Sequence, residues 1–300
     1  MRTTLRFNSA RAARCRGTAW LLALLAANLG TVCACAPVRD LASSSYAWSA
    51  QRNPADPARE AAPYGIEAVC ARGTLNYLIP TDGGVVLVDA GYDENGAAIL
   101  DALGGRPVLA VLLTHGHIDH RAAAHLFDAP VYVGRGDVPS FVDDRYFKAV
   151  APLAGEIFLG TPPAPRDLRS VDDEDVIKIG GKTFTAIHLP GHTPGSTAWL
   201  VGDVLFTGDA VQSPHGDAVY PAPWSVSENV KQAWRSLRRL EAIPFRTLFD
   251  GHYGRLDDAK PKVRAALETF KREGALVHPL FRPTACAERA AVHSTPHAHP

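Results

Sequence analysis

Residues Leu113–His120 read LTHGHIDH, and the last six hold three histidines and an aspartate. Histidine is scarce, 12 of 300 residues, and H-x-H-x-D-H is expected by chance on the order of 0.001 times in such a chain. Imidazole nitrogens and carboxylate oxygens suit Zn2+, and four such groups on one short loop can divide between two ions. One loop cannot fill two coordination spheres, so further donors must come from elsewhere. Three segments offer them: LPGHTPGS carries His192, LFTGDA carries Asp209 and LFDGHYG carries His252. Each shows the same order: an apolar strand, a small residue, then His or Asp where the strand runs out.

The surrounding chain supplies elements to position these loops. IEAVC, TLNYLIP and VVLVDAG read as strands, the last two separated by the turn TDGG. Asp93–Leu103 reads as a helix, 108–113 as a strand, AAAHLF as helical and 131–134 as a strand. Two hairpins are predicted, turning at Gly180–Gly181 and Gly202–Asp203. Ser225-x-x-Glu228 resembles a capping box before VKQAWRSLRRLEAI, RTLFD reads as a short strand, and Asp258–Glu273 as a helix with Pro261 in its first turn. Residues 135–170 are irregular, a candidate lid or substrate wall, with Tyr146 and Phe147 as candidate lining residues. Strand-rich and helix-containing halves repeat once, which predicts two sheets sandwiched between helices.

The ends have a different composition. Residues 1–34 carry Arg2, Arg6, Arg11, Arg14 and Arg16, no acid, and the apolar run TAWLLALLAANLGTV. They read as an export signal, the run being short for a membrane span. Val32 and Ala34 before Cys35 resemble a lipobox, so a lipid on Cys35 is one expectation and plain cleavage another. Residues 35–64 read as a flexible tether, 65–275 as the catalytic domain and 276–300 as a mostly disordered tail. Without residues 1–34 the chain has 26 basic against 31 acidic residues, a poor match for nucleic acid. Cys70 and Cys286 could pair in an oxidising compartment or stay separate thiols.

HGHIDH, PGHTPGS, FTGD and GH in this order resemble the metallo-β-lactamase superfamily over roughly residues 66–273. The resemblance implies an α/β fold, a four-layer αββα sandwich, and two Zn2+ ions, with iron and manganese remaining candidates. It implies that His115, His117 and His192 hold one metal, that Asp119, His120 and His252 hold the other, and that Asp209 bridges them. Asp119 would also orient the attacking hydroxide or pass a proton to the leaving group. Asp89, in VLVDAG, matches an aspartate that supports the ligands from behind. The chain departs from the pattern at Arg121-Ala122-Ala123, where many members have Gly-Gly after the histidine motif, and in having Tyr253 after His252.

His215, Tyr220 and Tyr253 are candidate substrate contacts, and Tyr92 a further pocket candidate. Trp224 reads as an anchor for the following helix, His125 and His188 as ordinary surface or packed histidines, and His293, His297 and His299 as tail residues. The function implied is a dinuclear-zinc hydrolase of a carbonyl ester, thioester, lactone or related bond in a small molecule. An envelope β-lactamase ranks second, because FTGD resembles glyoxalase II-like and lactonase-like members instead. An iron-dependent persulfide-type oxidoreductase is a third reading. The expected location is the periplasm, or the bacterial envelope through the lipid.

Overall fold

Strand alternation explains how the chain builds two sheets. In a computed structural model of the protein, residues 57–93, 95–143, 146–148, 162–213, 216, 218–223 and 225–273 are described. The first sheet runs β1 (Glu67–Ala71), β2 (Thr74–Thr81), β3 (Gly84–Val88), β4 (Val108–Leu112), β5 (Val131–Gly134) and β6 (Leu168–Val171), in that spatial order. Along β2 to β4, Leu75, Tyr77, Ile79, Val86, Val88, Ala110 and Leu112 face an inner core. Their alternates Leu78, Val85, Leu87 and Val111 face an outer one. A sheet buried on both faces reads as nearly unbroken apolar sequence, as these strands do.

The second sheet has the spatial order β12 (Arg255–Asp257), β11 (Thr247–Asp250), β10 (Val204–Gly208), β9 (Thr197–Val201), β8 (Lys182–His188) and β7 (Val176–Ile179). Its inner face contributes Phe184, Trp199, Phe206 and Phe249 to the shared core. Tyr77 from the first sheet packs on Phe206 and Phe249 at centroid distances of 5.1 and 5.3 Å. The outer face of the first sheet is covered by α2 (Ala97–Leu103) and the turns after α3 (Ile118–Arg121). That of the second is covered by α4 (Val230–Ser236) and α5 (Ala259–Glu273). Three apolar layers between four structural layers bear out the expected sandwich. No helix among the described residues is long and apolar enough to cross a membrane.

Topology brings the strand ends together. β3, β4, β5 and β6 are parallel, so β3, β4 and β5 end at one edge. β8 and β10 are both antiparallel to β9, and β11 is parallel to β10, so these three also share an end. The two edges meet where Thr197 N–H donates to Thr114 O at 2.8 Å and Trp199 Nε1–H to Leu113 O at 3.0 Å. Trp199 is fully buried. Trp199→Phe is expected to lower the unfolding free energy by roughly 1–3 kcal/mol, through a lost hydrogen bond and a small void. Urea denaturation of the two proteins measures it.

Several boundaries differ from expectation. The tether expected over 35–64 ends sooner: α1 (Pro57–Ala61) buries Ala61 in the shared core, and Tyr64 meets Phe249 edge-on at 5.6 Å. Ala61 and Tyr64 are apolar contacts that a composition of Ala, Ser and Pro hides. Within 135–170, residues 135–141 form a 3-10 turn and Leu168–Val171 add a parallel strand to β5. Helix α2 starts at Ala97, because Gly96 is left-handed and Asp93 accepts from the N–H groups of Asn95 and Ala97. The cap of α4 is Asn229, which accepts from Gln232 N–H at 3.0 Å, and not Ser225. Glu228 instead accepts from Lys148 N–H at 2.7 Å. Residues 1–56 and 274–300, including Cys35, Cys286 and the tail histidines, lie outside the described residues, as do His215 and Trp224.

Candidate metal centre

His115 and His117 leave the end of β4 on an extended loop, and Asp119 and His120 follow on α3. His192 comes from the turn after β8, Asp209 from the turn after β10 and His252 from the turn after β11. All seven residues predicted to bind metal converge. Three overlapping groups offer donor atoms lying within 4.8 Å of one another: His115, His117 and His192; His115, His120 and Asp209; Asp119, His120 and His252. Nε2 of His115 lies 3.1 Å from both His117 Nδ1 and His192 Nε2. Asp209 stands between the halves. Its Oδ1 is 3.4 Å from His120 Nε2 and 3.1 Å from His252 Nε2, while Oδ2 is 3.8 Å from His192 Nε2.

Partners on the outside determine which nitrogen faces inward. Asp89 Oδ2 accepts from His120 Nδ1–H at 2.8 Å, and Gly73 O accepts from His252 Nδ1–H at 2.9 Å. The Thr114 hydroxyl donates to Asp89, so it accepts from His115 Nδ1–H at 3.1 Å. Likewise Ser227 Oγ donates to Ala222 O and accepts from His192 Nδ1–H at 3.3 Å. Four imidazoles therefore turn Nε2 toward the interior of the centre. His120 Nε2 and Asp209 Oδ1 are buried without a hydrogen bond among the described residues, and so is His117 Nε2. Lone pairs crowded at 3.1 Å repel, and a cation between them removes that conflict.

Charge follows the same division. Burial, reinforced by neighbouring histidines, holds His115 and His117 well below the ordinary imidazole range. Burial brings His192 down to about 4. On the other side burial opposes charge, but Asp119, Asp89 and Asp209 outweigh it and raise His120 well above its usual value. His252, opposed by burial and favoured by Asp209, is pushed up to about 9. Asp209 is held well below the carboxylate range, despite burial, by His252 and His120. A proton here balances the carboxylates, and a bound cation would displace it.

Backbone geometry is part of the site. Asp89 itself has φ of 59°, a left-handed conformation rare outside glycine, and its carboxylate accepts from Thr114 N–H at 2.7 Å. Gly208, with φ of 51°, turns β10 so that Asp209 points inward, and a Cβ there would stand 2.2 Å from Thr114 Oγ1. At Gly251 a Cβ would stand 2.6 Å from the His120 ring and 2.8 Å from Asp209 Oδ1.

The remaining candidates separate. Tyr253 is buried beside His252, with ring centroids 6.3 Å apart. Tyr220 pairs through its backbone with Gln212 and packs, partly buried, on the outer core of the second sheet. Gln212 Nε2–H donates to Asp209 Oδ2 at 3.0 Å. His125 and His188 belong to none of the donor groups. Phe147, from the segment expected to be irregular, lies edge-on to His117 at 4.5 Å and is buried. Two acids that sequence reasoning missed as site residues are fully buried. Asp137 accepts from Gly116 N–H, Gly195 N–H and the Thr193 hydroxyl. Asp250 accepts from the N–H groups of Ser213, His252, Tyr253 and Gly254. Burial brings each to about 6. Both follow the pattern that revealed the ligands, an acid at or just past the end of an apolar strand.

Comparison with known proteins agrees with this geometry. The family model described as Metallo-beta-lactamase superfamily matches residues 71–252. A protein of Aquifex aeolicus (strain VF5), described as uncharacterized, is 30% identical over 138 residues, 42% of this chain and 62% of its own. Acyl-coenzyme A thioesterase MBLAC2 of Gallus gallus is 28% identical over 167 residues, 51% of this chain and 59% of its own. The chain thus spans less than two thirds of the length of these relatives. Among solved structures, ST1585 from Sulfolobus tokodaii, an archaeal metallo-beta-lactamase superfamily protein, superposes with a TM-score of 0.58 at 20% identity, covering 76% of this chain and 94% of that one.

Proposed function

The chain belongs to the metallo-beta-lactamase superfamily, and from that premise we propose that it is a dinuclear metallohydrolase cleaving a carbonyl ester, thioester, lactone or related bond in a small molecule. One observation carries the reading: five histidines and the carboxylates of Asp119 and Asp209 form three overlapping donor groups, in which His117 Nε2, His120 Nε2 and Asp209 Oδ1 are buried without a hydrogen bond among the described residues. Two Zn2+ ions, or iron or manganese in their place, would supply Lewis acidity and a water that loses its proton near neutral pH. His115, His117 and His192 would hold one, and Asp119, His120 and His252 the other. Asp209 has an oxygen on each side and would bridge them.

The protein's own groups do the rest. Asp89 and Gly73 O hold the imidazoles of His120 and His252 in the tautomer that binds metal. The Asp119 side chain, at 15% exposure, is the donor most open to solvent, with Oδ2 at 3.7 Å from His120 Nε2. It is placed to orient the attacking water and to carry its proton to the leaving group. Phe147 covers the outer side of His117, which keeps bulk water from that face. A thioester substrate is supported by the likeness to the avian acyl-coenzyme A thioesterase. An exported location, with a lipid on Cys35, is part of this proposal and rests on the composition of residues 1–35.

Metal quantification coupled to a substrate panel tests it. The expected result is about two equivalents of cation per chain and turnover of S-lactoylglutathione, an acyl-coenzyme A, an acyl-homoserine lactone or an aryl ester. Chelation should abolish that turnover and added Zn2+ restore it. Dominant nitrocefin hydrolysis would move the protein to the lactamases. Bound iron with no hydrolysis of any ester, thioester or lactam would overturn the hydrolase reading in favour of oxidation chemistry.

A further inference from the structure

The loops that carry His115/His117 and His192 belong to different sheets, and no covalent link sets their separation. A third segment reaches both. Asp137 Oδ2 accepts from Gly116 N–H at 2.8 Å and from the Thr193 hydroxyl at 2.6 Å, and its Oδ1 accepts from Gly195 N–H at 2.7 Å. The carbonyl of the same residue is held as well. Arg121 Nε–H donates to Gly116 O at 2.6 Å. Its Nη2–H donates to Ser140 O at 3.1 Å, and the guanidinium lies 4.7 Å from the centroid of Phe141. Ser140 Oγ in turn donates to Asp137 O at 2.8 Å. Both charged residues are almost wholly buried. Neither belongs to a donor group for metal.

We propose that Asp137 and Arg121 clamp the two peptide groups flanking Gly116 and thereby set the spacing of His115 and His117 against His192, acting as positioning residues for that half of the metal centre. Gly116 is the one residue between the two histidines, so fixing its N–H and its carbonyl fixes the backbone from which both imidazoles project. The bonds from Asp137 to the 193–195 turn then fix how far His192 stands from them. Arg121 adds the other half. It directly follows His120 on α3, so its hold on Gly116 O ties the short helix bearing Asp119 and His120 to the His115–His117 loop. Burying a carboxylate is costly unless donors surround it, and burial brings Asp137 to about 6. Three donors from two ligand loops are what it gains. This also gives Arg121, in the position after the histidine motif, a role: its side chain folds back on the loop that carries His115 and His117.

The inference rests on reading these imidazoles as a metal half-site, so the experiment separates the two. Chelator competition is used to measure Zn2+ affinity for each equivalent, and the visible spectrum of the Co2+ form reports ligand geometry. Thermal unfolding of the metal-free form reports stability. Asp137→Ala is expected to weaken one equivalent by about 10–100-fold and to alter the Co2+ spectrum, while the other equivalent changes by less than about threefold. Asp137→Asn, which keeps one acceptor, and Arg121→Lys, which keeps a charge without the fork, should fall between it and wild type. They also serve if the alanine variant does not fold. Leu240→Ala, a buried change in the outer core of the second sheet, is the stability control and should leave both equivalents intact. Equal loss at both equivalents, in step with a fall in melting temperature that Leu240→Ala reproduces, would overturn the clamp, as would unchanged affinity and spectrum in folded Asp137 variants. Wild-type protein that binds no cation would instead overturn the metal reading itself.

Discussion

Asp209→Ala is expected to lower hydrolysis by at least about 100-fold and to reduce bound cation from two equivalents to one or fewer. Changing a residue that merely supports a ligand costs about 10–100-fold in metal affinity or activity, and Asp209 does more than support. It is the acid whose two oxygens face opposite halves of the centre, Oδ1 toward His120 and His252 and Oδ2 toward His192. Without it each trio of donors stands alone, and nothing neutralises the charge between them. The folded state should survive, because His120 and His252 can release the protons that Asp209 now helps them hold. Metal analysis, circular dichroism and initial rates on the same preparation give the answer. A fully active variant that retains two cations would remove Asp209 from its bridging role.

The largest effect on stability is expected at Asp250. Its Oδ1 accepts from the N–H groups of His252, Tyr253 and Gly254, and its Oδ2 accepts from Ser213 N–H at 2.9 Å. It thereby ties the turn bearing His252 to the turn that follows Asp209. Asp250→Ala leaves four buried donors without an acceptor and should cost about 3–5 kcal/mol, a large part of a domain's total stability. Asp250→Asn keeps the three bonds to one oxygen and opposes only Ser213 N–H, so about 1–2 kcal/mol is expected. Acidity separates the two variants further. Burial raises Asp250 to about 6 from 3.8. A group raised on folding stabilises fully below its unfolded value, and that contribution is lost as pH rises through the folded one. Wild type should therefore lose stability relative to Asp250→Asn as pH rises from about 4 to about 6. Urea melts of the metal-loaded proteins at both pH values test this. Parallel pH profiles would show that Asp250 is not ionising in that window.

How much of this was legible beforehand depends on how local each signal is. The period-two pattern in TLNYLIP and VVLV, and the Gly-Gly and Gly-Asp turns, are local, and β2, β3 and both later hairpins lie where the pattern puts them. Helix ends were less legible. Ser225 and Glu228 satisfy a capping pattern, yet Glu228 is drawn to the backbone of Lys148, 80 residues away, and Asn229 caps the helix instead. Ala61 and Tyr64 looked like linker because their partners, the inner core and Phe249, come from distant strands.

The sequence by itself determined the donors. Histidine and aspartate placed at the ends of apolar strands are a chemical statement that needs no coordinates, since strand direction and side-chain type already confine them to one kind of place. Tertiary structure decided everything that depends on a second partner. It selected which nitrogen of each imidazole faces inward, through Asp89, Thr114, Ser227 and Gly73. It also tied Asp137 and Asp250 to the loops of the centre through backbone donors that the chain alone does not place beside them. The physical reason is that a hydrogen bond or a buried charge takes its meaning from what lies across from it. In this fold those groups are brought together from segments up to about 180 residues apart, such as Gly73 and His252.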